Sequence, residues 1–472
     1  MRMPVAQDNQ ATSRERLTII FLTIAAFTLR LAFLGHKSLW LDEAASYSLC
    51  RLPWREFLSA WWAHEANMTA YYALQRAWLH LGTNEFMLRL PSAIFGTLAV
   101  PAIYRLARRL FNANVGLVAA LLLAVNPAHL EYSQEARSYP MVIFFVLLAA
   151  EYLLRALGTS AWLDWTLFVL FATLAVYSHF FAALVFAAFF LALFARTRAS
   201  LDWQRTLIAF FAFGILISPA MFFVLFRGQT MDLYWLSPVG ASSFWKLFQF
   251  FIGSGAKLII SLILFIAGLW ALSQQSRSLN VFLLSWLLLP IAITFLASLH
   301  HNIFSYKYLL ICLPALLLLC ALGASFLPRY AGWGLVGILV VASLITDVAG
   351  YKKPREDWRA LNQYVVSSYH SGDAIAFYPP YARNPFDYYH QRTGPAELQI
   401  AAPNVIGGDL KEDVYDIAHP EQMVRGLSNP RIWVVLYGNR SEGAQMLNAL
   451  PNGYTPRMEK DFSGIALRLY AR

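Results

Sequence analysis

From residue 17 to residue 348 the chain alternates between long apolar runs and short polar breaks. A hydrocarbon core about 30 Å thick takes about 20 apolar helical residues to cross. Runs near 17–34, 88–108, 113–129, 138–156, 162–178, 179–196, 206–226, 256–273, 279–298, 306–326 and 331–348 therefore predict about eleven membrane-spanning helices. The stretch 162–195 is too long for one span of ordinary tilt and suits two helices meeting at Ser178-His179.

The longest break carries a different period. Trp54, Phe57, Leu58, Trp61 and Trp62 fall on one helical face, with Arg55, Glu56 and Ser59 opposite, which predicts an amphipathic helix lying in the interface. Met68–Leu81 repeats the pattern through Tyr71, Leu74, Trp78 and Leu81. Packing is the plain role for both stripes; walling a site open to lipid is the other.

Past Tyr351 the apolar runs become too short to span a membrane. Ala374–Tyr378, Ile432–Tyr437 and Ile465–Tyr470 read as strands, and Trp358–Tyr369 reads as a helix ended by Ser371-Gly372. The expected organisation is an α-helical polytopic membrane module over 1–350, with interfacial helices in 35–87, and a soluble α/β domain over 351–472. That domain shows no glycine-rich phosphate loop and no metal-ligand spacing.

Charge orients the spans. Arg2, Arg14 and Arg16 precede the first, and Arg105, Arg108 and Arg109, then Arg155, then Arg196, Arg198 and Arg205, then Arg277, then Arg329 fall in alternate breaks. By the positive-inside rule those breaks and the N-terminus are cytoplasmic. The opposite face then gathers 35–87, 130–137, the Tyr177-Ser178-His179 turn, 227–255, 299–307 and, with an odd span count, the C-terminal domain. The first apolar run reads as an anchor, because it follows a polar lead and lacks a small-residue cleavage site.

Composition agrees: 58% of residues are hydrophobic, 14% are charged, and mean hydropathy is +0.49. The net charge of +10 does not point to nucleic acid, since the basic residues sit in short clusters with no single basic face. Cys50, Cys312 and Cys320 form no disulfide framework; the last two read as small buried hydrophobes.

The polar breaks hold the candidate chemistry. Asp42 and Glu43 follow the first span; as adjacent residues they do not share a helix face, so at most one is a reacting group and an acidic helix cap is the alternative. The densest polar stretch is Glu131-Tyr-Ser-Gln-Glu135-Ala-Arg137-Ser-Tyr139-Pro140. If it is helical, Glu131, Glu135 and Ser138 share a face. Arg137 is its best-placed cation for a phosphate, with an Arg–Glu pair as the alternative. Pro140 suits a first helical turn. Lys307, near His300 and His301, could contact a lipid phosphate or simply reach the interface. His179 reads first as a satisfied interfacial histidine. Two adjacent histidines without a third ligand make a poor metal site.

These residues carry a resemblance. Leu41-Asp42-Glu43, Leu88-Arg89-Leu90-Pro91-Ser92, Tyr132 through Tyr139, Tyr177-Ser178-His179-Phe180, Lys307-Tyr308 with Pro314, and Glu356-Asp357-Trp358-Arg359 resemble the GT-C glycosyltransferases of family 39. That family includes dolichyl-phosphate-mannose protein mannosyltransferases and bacterial aminoarabinose transferases acting on lipid A. The resemblance implies transfer of a sugar from a polyprenyl phosphate to a lipid, protein or glycan acceptor, on the outer face of a bacterial inner membrane. It implies Asp42 as general base, Glu43 arranging the site, and Arg137 with Lys307 holding the phosphate. Glu135 and His179 complete the expected substrate contacts. No cofactor motif is present, and a divalent metal ion is left open. Two departures stand out: Asn67-Met68-Thr69-Ala70 precedes Tyr71-Tyr72 where many members have His-Pro-Pro, and Lys307 stands where many have arginine.

The chemistry is coherent without the family. A phosphate is already a good leaving group, so one base and stabilising cations suffice, and direct displacement inverts the anomeric centre. The rival readings are a transporter or flippase for a lipid-linked or small polar substrate, and a scaffold whose outer domain binds a partner. Transporters usually place ionisable groups at the midplane on broken helices, whereas here the polar residues crowd one face.

Overall fold

The computed structural model describes residues 12–63, 66–196, 201–226, 238–352, 355–401, 424, 426–438 and 440–472. Arg2, Arg198 and the start of the 227–255 break lie outside them. The chain folds as two compact units. One takes residues 12–32, 66–71 and 89–352; the other takes 33–63, 72–88 and the tail from residue 355.

Each of the eleven apolar segments forms helix. Among the described residues, seven helices are long and apolar enough to cross a membrane: Glu85–Leu110, Tyr139–Thr159, Trp203–Phe226, Ala256–Ser273, Arg277–Ser298, Tyr308–Phe326 and Arg329–Tyr351. The count reaches eight if Ala113–Ala124 and Pro127–Ser133, bent by 58°, form one broken span. Two others, Trp162–Ser178 and Ala182–Leu193, are shorter apolar helices. Ser13–Leu31 is long enough but carries Arg14, Glu15, Arg16 and Arg30. The chain is an integral membrane protein, and in lipid such helices satisfy their own backbone groups.

The helices differ in how far they are enclosed. Tyr308–Phe326 is central, with 89% of its apolar window buried, whereas Trp203–Phe226 has only 22% buried and turns Phe211 and Ile215 outward. Without a hydrophobic driving force between helices in lipid, close packing through small residues holds a bundle together. Gly268 and Gly323 do this here. A Cβ on Gly323 would lie 1.9 Å from the Leu264 carbonyl oxygen, and one on Gly268 would lie 2.0 Å from that of Leu319. Both neighbours are backbone, so Gly323→Ala forces the helices apart. We expect a loss of about 1–3 kcal/mol, typical of overpacking, read as a lower unfolding temperature in detergent. Wild-type melting would show that the contact gives way freely.

In the second unit the tail forms one five-stranded sheet. Its strands are β1 (Ala374–Tyr378), β2 (Gln399–Ala401), β3 (Arg431–Tyr437), β4 (Thr455–Phe462) and β5 (Ile465–Ala471), in the order β2-β1-β3-β5-β4. β1 runs parallel to β2 and β3, while β5 pairs antiparallel with β3 and β4. Every residue of β1 and the interior of β3 are buried, so both strands appear in the sequence as unbroken apolar runs. β4 is largely exposed, and its charged residues suit an edge that must not recruit another strand. A tight turn joins β4 to β5, with Ser463 at φ 55° and Gly464 at φ 97°, the left-handed pair that two-residue hairpins favour.

The same unit includes the helices Leu41–Arg51 and Trp54–Ala63. The Tyr389 hydroxyl accepts from Leu39 N at 2.8 Å and donates to Glu85 Oε1 at 3.0 Å. Arg359 reaches the same Glu85 oxygen at 2.6 Å, as well as the His36 carbonyl at 3.1 Å. Tyr388 donates to the Thr83 carbonyl at 2.8 Å. Residues 33–39 and 83–85 are thus tied to helices of the tail.

Candidate functional site

In the first unit, chemistry gathers where the Trp162–Ser178 helix gives way to Ala182–Leu193. His179 is buried in that turn, with Nδ1 accepting from Phe181 N at 3.3 Å. Asn67 pins the turn: its Oδ1 accepts from Phe180 N at 3.0 Å, and its Nδ2 lies 3.3 Å from His179 Nε2. Asn67, which opens the run Asn67-Met68-Thr69-Ala70, thus holds the His179 turn in this chain. The Tyr308 and Tyr139 rings flank the imidazole at 4.9 and 5.8 Å. Burial, with the charges of Arg137 and Lys307, pushes the His179 pKa down to about 3. The imidazole is neutral at physiological pH, so the positive charge of the cluster comes from Arg137 and Lys307. The Lys307 ammonium lies 5.9 Å from the Tyr308 ring centre.

The segment bearing Glu135 and Arg137 is not helical, contrary to the condition under which Glu131, Glu135 and Ser138 would share a face. The helix Pro127–Ser133 stops before it, and the next begins at Tyr139 with Pro140 in its first turn. Glu131 is exposed while Glu135 is buried. Between the two helices Gln134 reaches sideways. Its Nε2 donates to the carbonyls of Arg30 at 3.0 Å and Ala32 at 2.7 Å, capping the C-terminal end of Ser13–Leu31. Arg137 is held through its backbone: its N donates to Glu135 O at 2.8 Å, and its O accepts from Ser92 Oγ at 2.8 Å. Ser92 is in turn 3.1 Å from the Tyr71 hydroxyl.

Sequence reasoning missed Arg30, a fully buried cation. Its Nη1 donates to the carbonyls of Ala26 at 3.0 Å and Ala124 at 3.2 Å, and its Nη2 lies 2.9 Å from His129 Nδ1. It caps the end of Ala113–Ala124, where a cation is favoured, and braces the helix that leads to Gln134. It falls inside the apolar run 17–34, where a single charge is averaged away among its neighbours.

In the second unit, Asp42 and Glu43 open the helix Leu41–Arg51. Glu43 is fully buried, and its Oε2 accepts from Trp40 N at 3.4 Å, the acidic half of a capping box. Asp42 is half-buried, and its carbonyl accepts from Ser46 Oγ at 2.8 Å. The helix thus separates the adjacent carboxylates into one buried cap and one accessible group. Near Asp42 stand two groups from the tail that sequence reasoning gave no role. Tyr437 donates to Glu356 Oε1 at 2.8 Å, and Glu356 Oε2 accepts from Trp358 Nε1 at 3.1 Å. Burial, then Glu356 and Asp42, push the Tyr437 pKa well above the ordinary phenol range, so it stays protonated. Among the described residues no three His, Cys, Asp or Glu side chains converge as a metal set would.

The family of dolichyl-phosphate-mannose-protein mannosyltransferases matches this chain over residues 68–226. No curated protein matches in sequence. Among solved structures, ArnT from Cupriavidus metallidurans in the apo state superposes with a TM-score of 0.66 at 12% identity, over 97% of this chain and 98% of that one. The same protein bound to undecaprenyl phosphate gives 0.65 at 12% identity, with the same coverage. The archaeal oligosaccharyltransferase AglB from Archaeoglobus fulgidus, in complex with an inhibitory peptide and a dolichol-phosphate, gives 0.57 at 11%, over 97% of this chain and 74% of that one. The chain has the GT-C fold.

Proposed function

Starting from a chain with the GT-C fold, we propose that it is a membrane glycosyltransferase that takes a sugar from a polyprenyl phosphate. The observation that carries this reading is the buried His179, whose ring lies 4.9 Å from Tyr308 and 5.8 Å from Tyr139, residues next to Lys307 and two beyond Arg137 in the chain. Two cations beside the ends of apolar helices suit a lipid phosphate, whose isoprenoid chain would lie along the bundle. Asp42 takes the proton from an acceptor hydroxyl or amine as that atom attacks the anomeric carbon. The bond from that carbon to the phosphate oxygen breaks, and the polyprenyl phosphate leaves with its charge met by the cations. Glu43 holds the start of the Asp42 helix, while Glu135 and His179 complete the contacts to the substrate. Attack opposite the leaving group inverts the anomeric centre. The charge pattern supports a cytoplasmic N-terminus and a site on the outer face of a bacterial inner membrane.

The test is reconstitution into liposomes with radiolabelled undecaprenyl-phosphate sugars and a membrane extract as acceptor source. Transfer predicts release of undecaprenyl phosphate and label in a new product, dependent on the protein. Movement of intact donor between leaflets without bond cleavage would instead identify a flippase and overturn the reading.

A further inference from the structure

The sheet of the tail has a switch point. From β1 the chain moves to β2 on one side, whereas from β3 it moves to β4 beyond β5 on the other. In open α/β sheets, ligands bind outside the carboxyl ends of the two strands at which the winding reverses, because the connections leave a crevice there. Here those ends are Tyr378 of β1, which runs directly into the short turn Pro380–Ala382 bearing Tyr381, and Tyr437 of β3. The next residue, Gly438, has φ +77°, so the chain turns away at once.

The side chains at this edge form one constellation. Both oxygens of Glu356 are engaged, by Tyr437 at 2.8 Å and by the fully buried Trp358 at 3.1 Å. The Tyr437 proton is committed to Glu356, so its hydroxyl offers lone pairs to a ligand. Asp42 and Tyr381 lie within electrostatic range of that hydroxyl. All four of Asp42, Glu356, Tyr381 and Tyr437 are half-buried, and therefore reachable. Acceptor oxygens backed by aromatic faces fit a polyhydroxylated ring, whose O–H groups donate and whose C–H face packs on the rings.

We propose that the carboxyl edge of β1 and β3 is a saccharide-binding site, and that Tyr437, fixed by Glu356, orients a hydroxyl of the acceptor towards Asp42. The second half rests on Asp42 being the base of a glycosyl transfer; the binding site does not. Tyr437 is a positioning residue, and the tail is part of the acceptor site.

The full chain in nanodiscs is titrated with methyl α-D-mannopyranoside and methyl α-D-glucopyranoside, read by saturation-transfer NMR. Saturable binding of at least one glycoside is expected, weakened about tenfold in Tyr437→Phe, the loss of roughly one hydrogen bond. Glu356→Gln should weaken it similarly, and undecaprenyl phosphate binding should be unchanged in both variants. Phenylalanine keeps the ring, so Tyr437→Phe carries the test if Glu356→Gln lowers the unfolding temperature. No saturable binding to the wild type, or equal binding by Tyr437→Phe, overturns the saccharide site. Glycoside binding that depends on Tyr437, alongside full transfer activity in Asp42→Asn, would retain the site and remove only the assigned base.

Discussion

Asp42→Asn is expected to lower the rate of sugar transfer by about 10²–10⁴-fold, the usual worth of general base catalysis, in a protein that remains folded. The substitution is nearly isosteric, and the Asp42 backbone carbonyl still accepts from Ser46. Undecaprenyl phosphate binding, measured alongside, should not move. Glu43→Gln is the informative companion. Glu43 is buried as a helix cap and accepts from a backbone N–H, so its replacement should cost stability more than rate. Full activity in Asp42→Asn with the correct donor and acceptor would sink the assignment of the base.

The second large effect concerns the donor. Arg137→Ala removes a guanidinium while leaving the backbone contacts to Glu135 and Ser92 in place. A hydrogen bond between charged groups is worth about 1.5–3 kcal/mol, so donor affinity should fall from about tenfold to more than a hundredfold. Lys307→Ala should cost less, since an ammonium lacks the bidentate fork of arginine. Lys307→Arg is the conservative control. Undiminished affinity in Arg137→Ala, measured by isothermal titration with undecaprenyl phosphate, would assign the side chain to an internal Arg–Glu pair.

Much of the architecture is legible in the sequence because lipid imposes a simple code. Every span has to be apolar and helical, so hydropathy marks each segment. The buried strands β1 and β3 are legible for a related reason, since burial on both faces leaves no polar alternation. β4 is invisible because an exposed edge strand such as Thr455–Phe462 carries the residues of a loop. The helix Arg383–Thr393 is hidden likewise: it is polar in composition, and its buried tyrosines reveal themselves only through Glu85 and Thr83.

The candidate residues are legible one by one, but their connections are not. Asp42, Arg137 and His179 stood out as polar groups among apolar ones. Nothing in the order of residues says that Gln134 caps the first helix, or that Asn67 holds the His179 turn. Nor does it say that Glu356 and Tyr437 stand near Asp42. Each of these is a contact between residues distant in sequence, and periodicity carries no such information.

The glycine pair deep in the bundle has a bearing on the proposed donor end. Lys307 and Tyr308 open the central helix, and Gly323, near its far end, seats that helix against its neighbour. A helix acts as a rigid screw: a slip of one residue shifts it by about 1.5 Å and rotates it by about 100°. Gly268 and Gly323 let the α-helical part, Leu313–Phe326, seat closely against its neighbour, and Lys307 stands at the start of the 3-10 turn that leads into it. If Lys307 grips a lipid phosphate as proposed, a side chain added at either glycine would disturb that grip without coming near it.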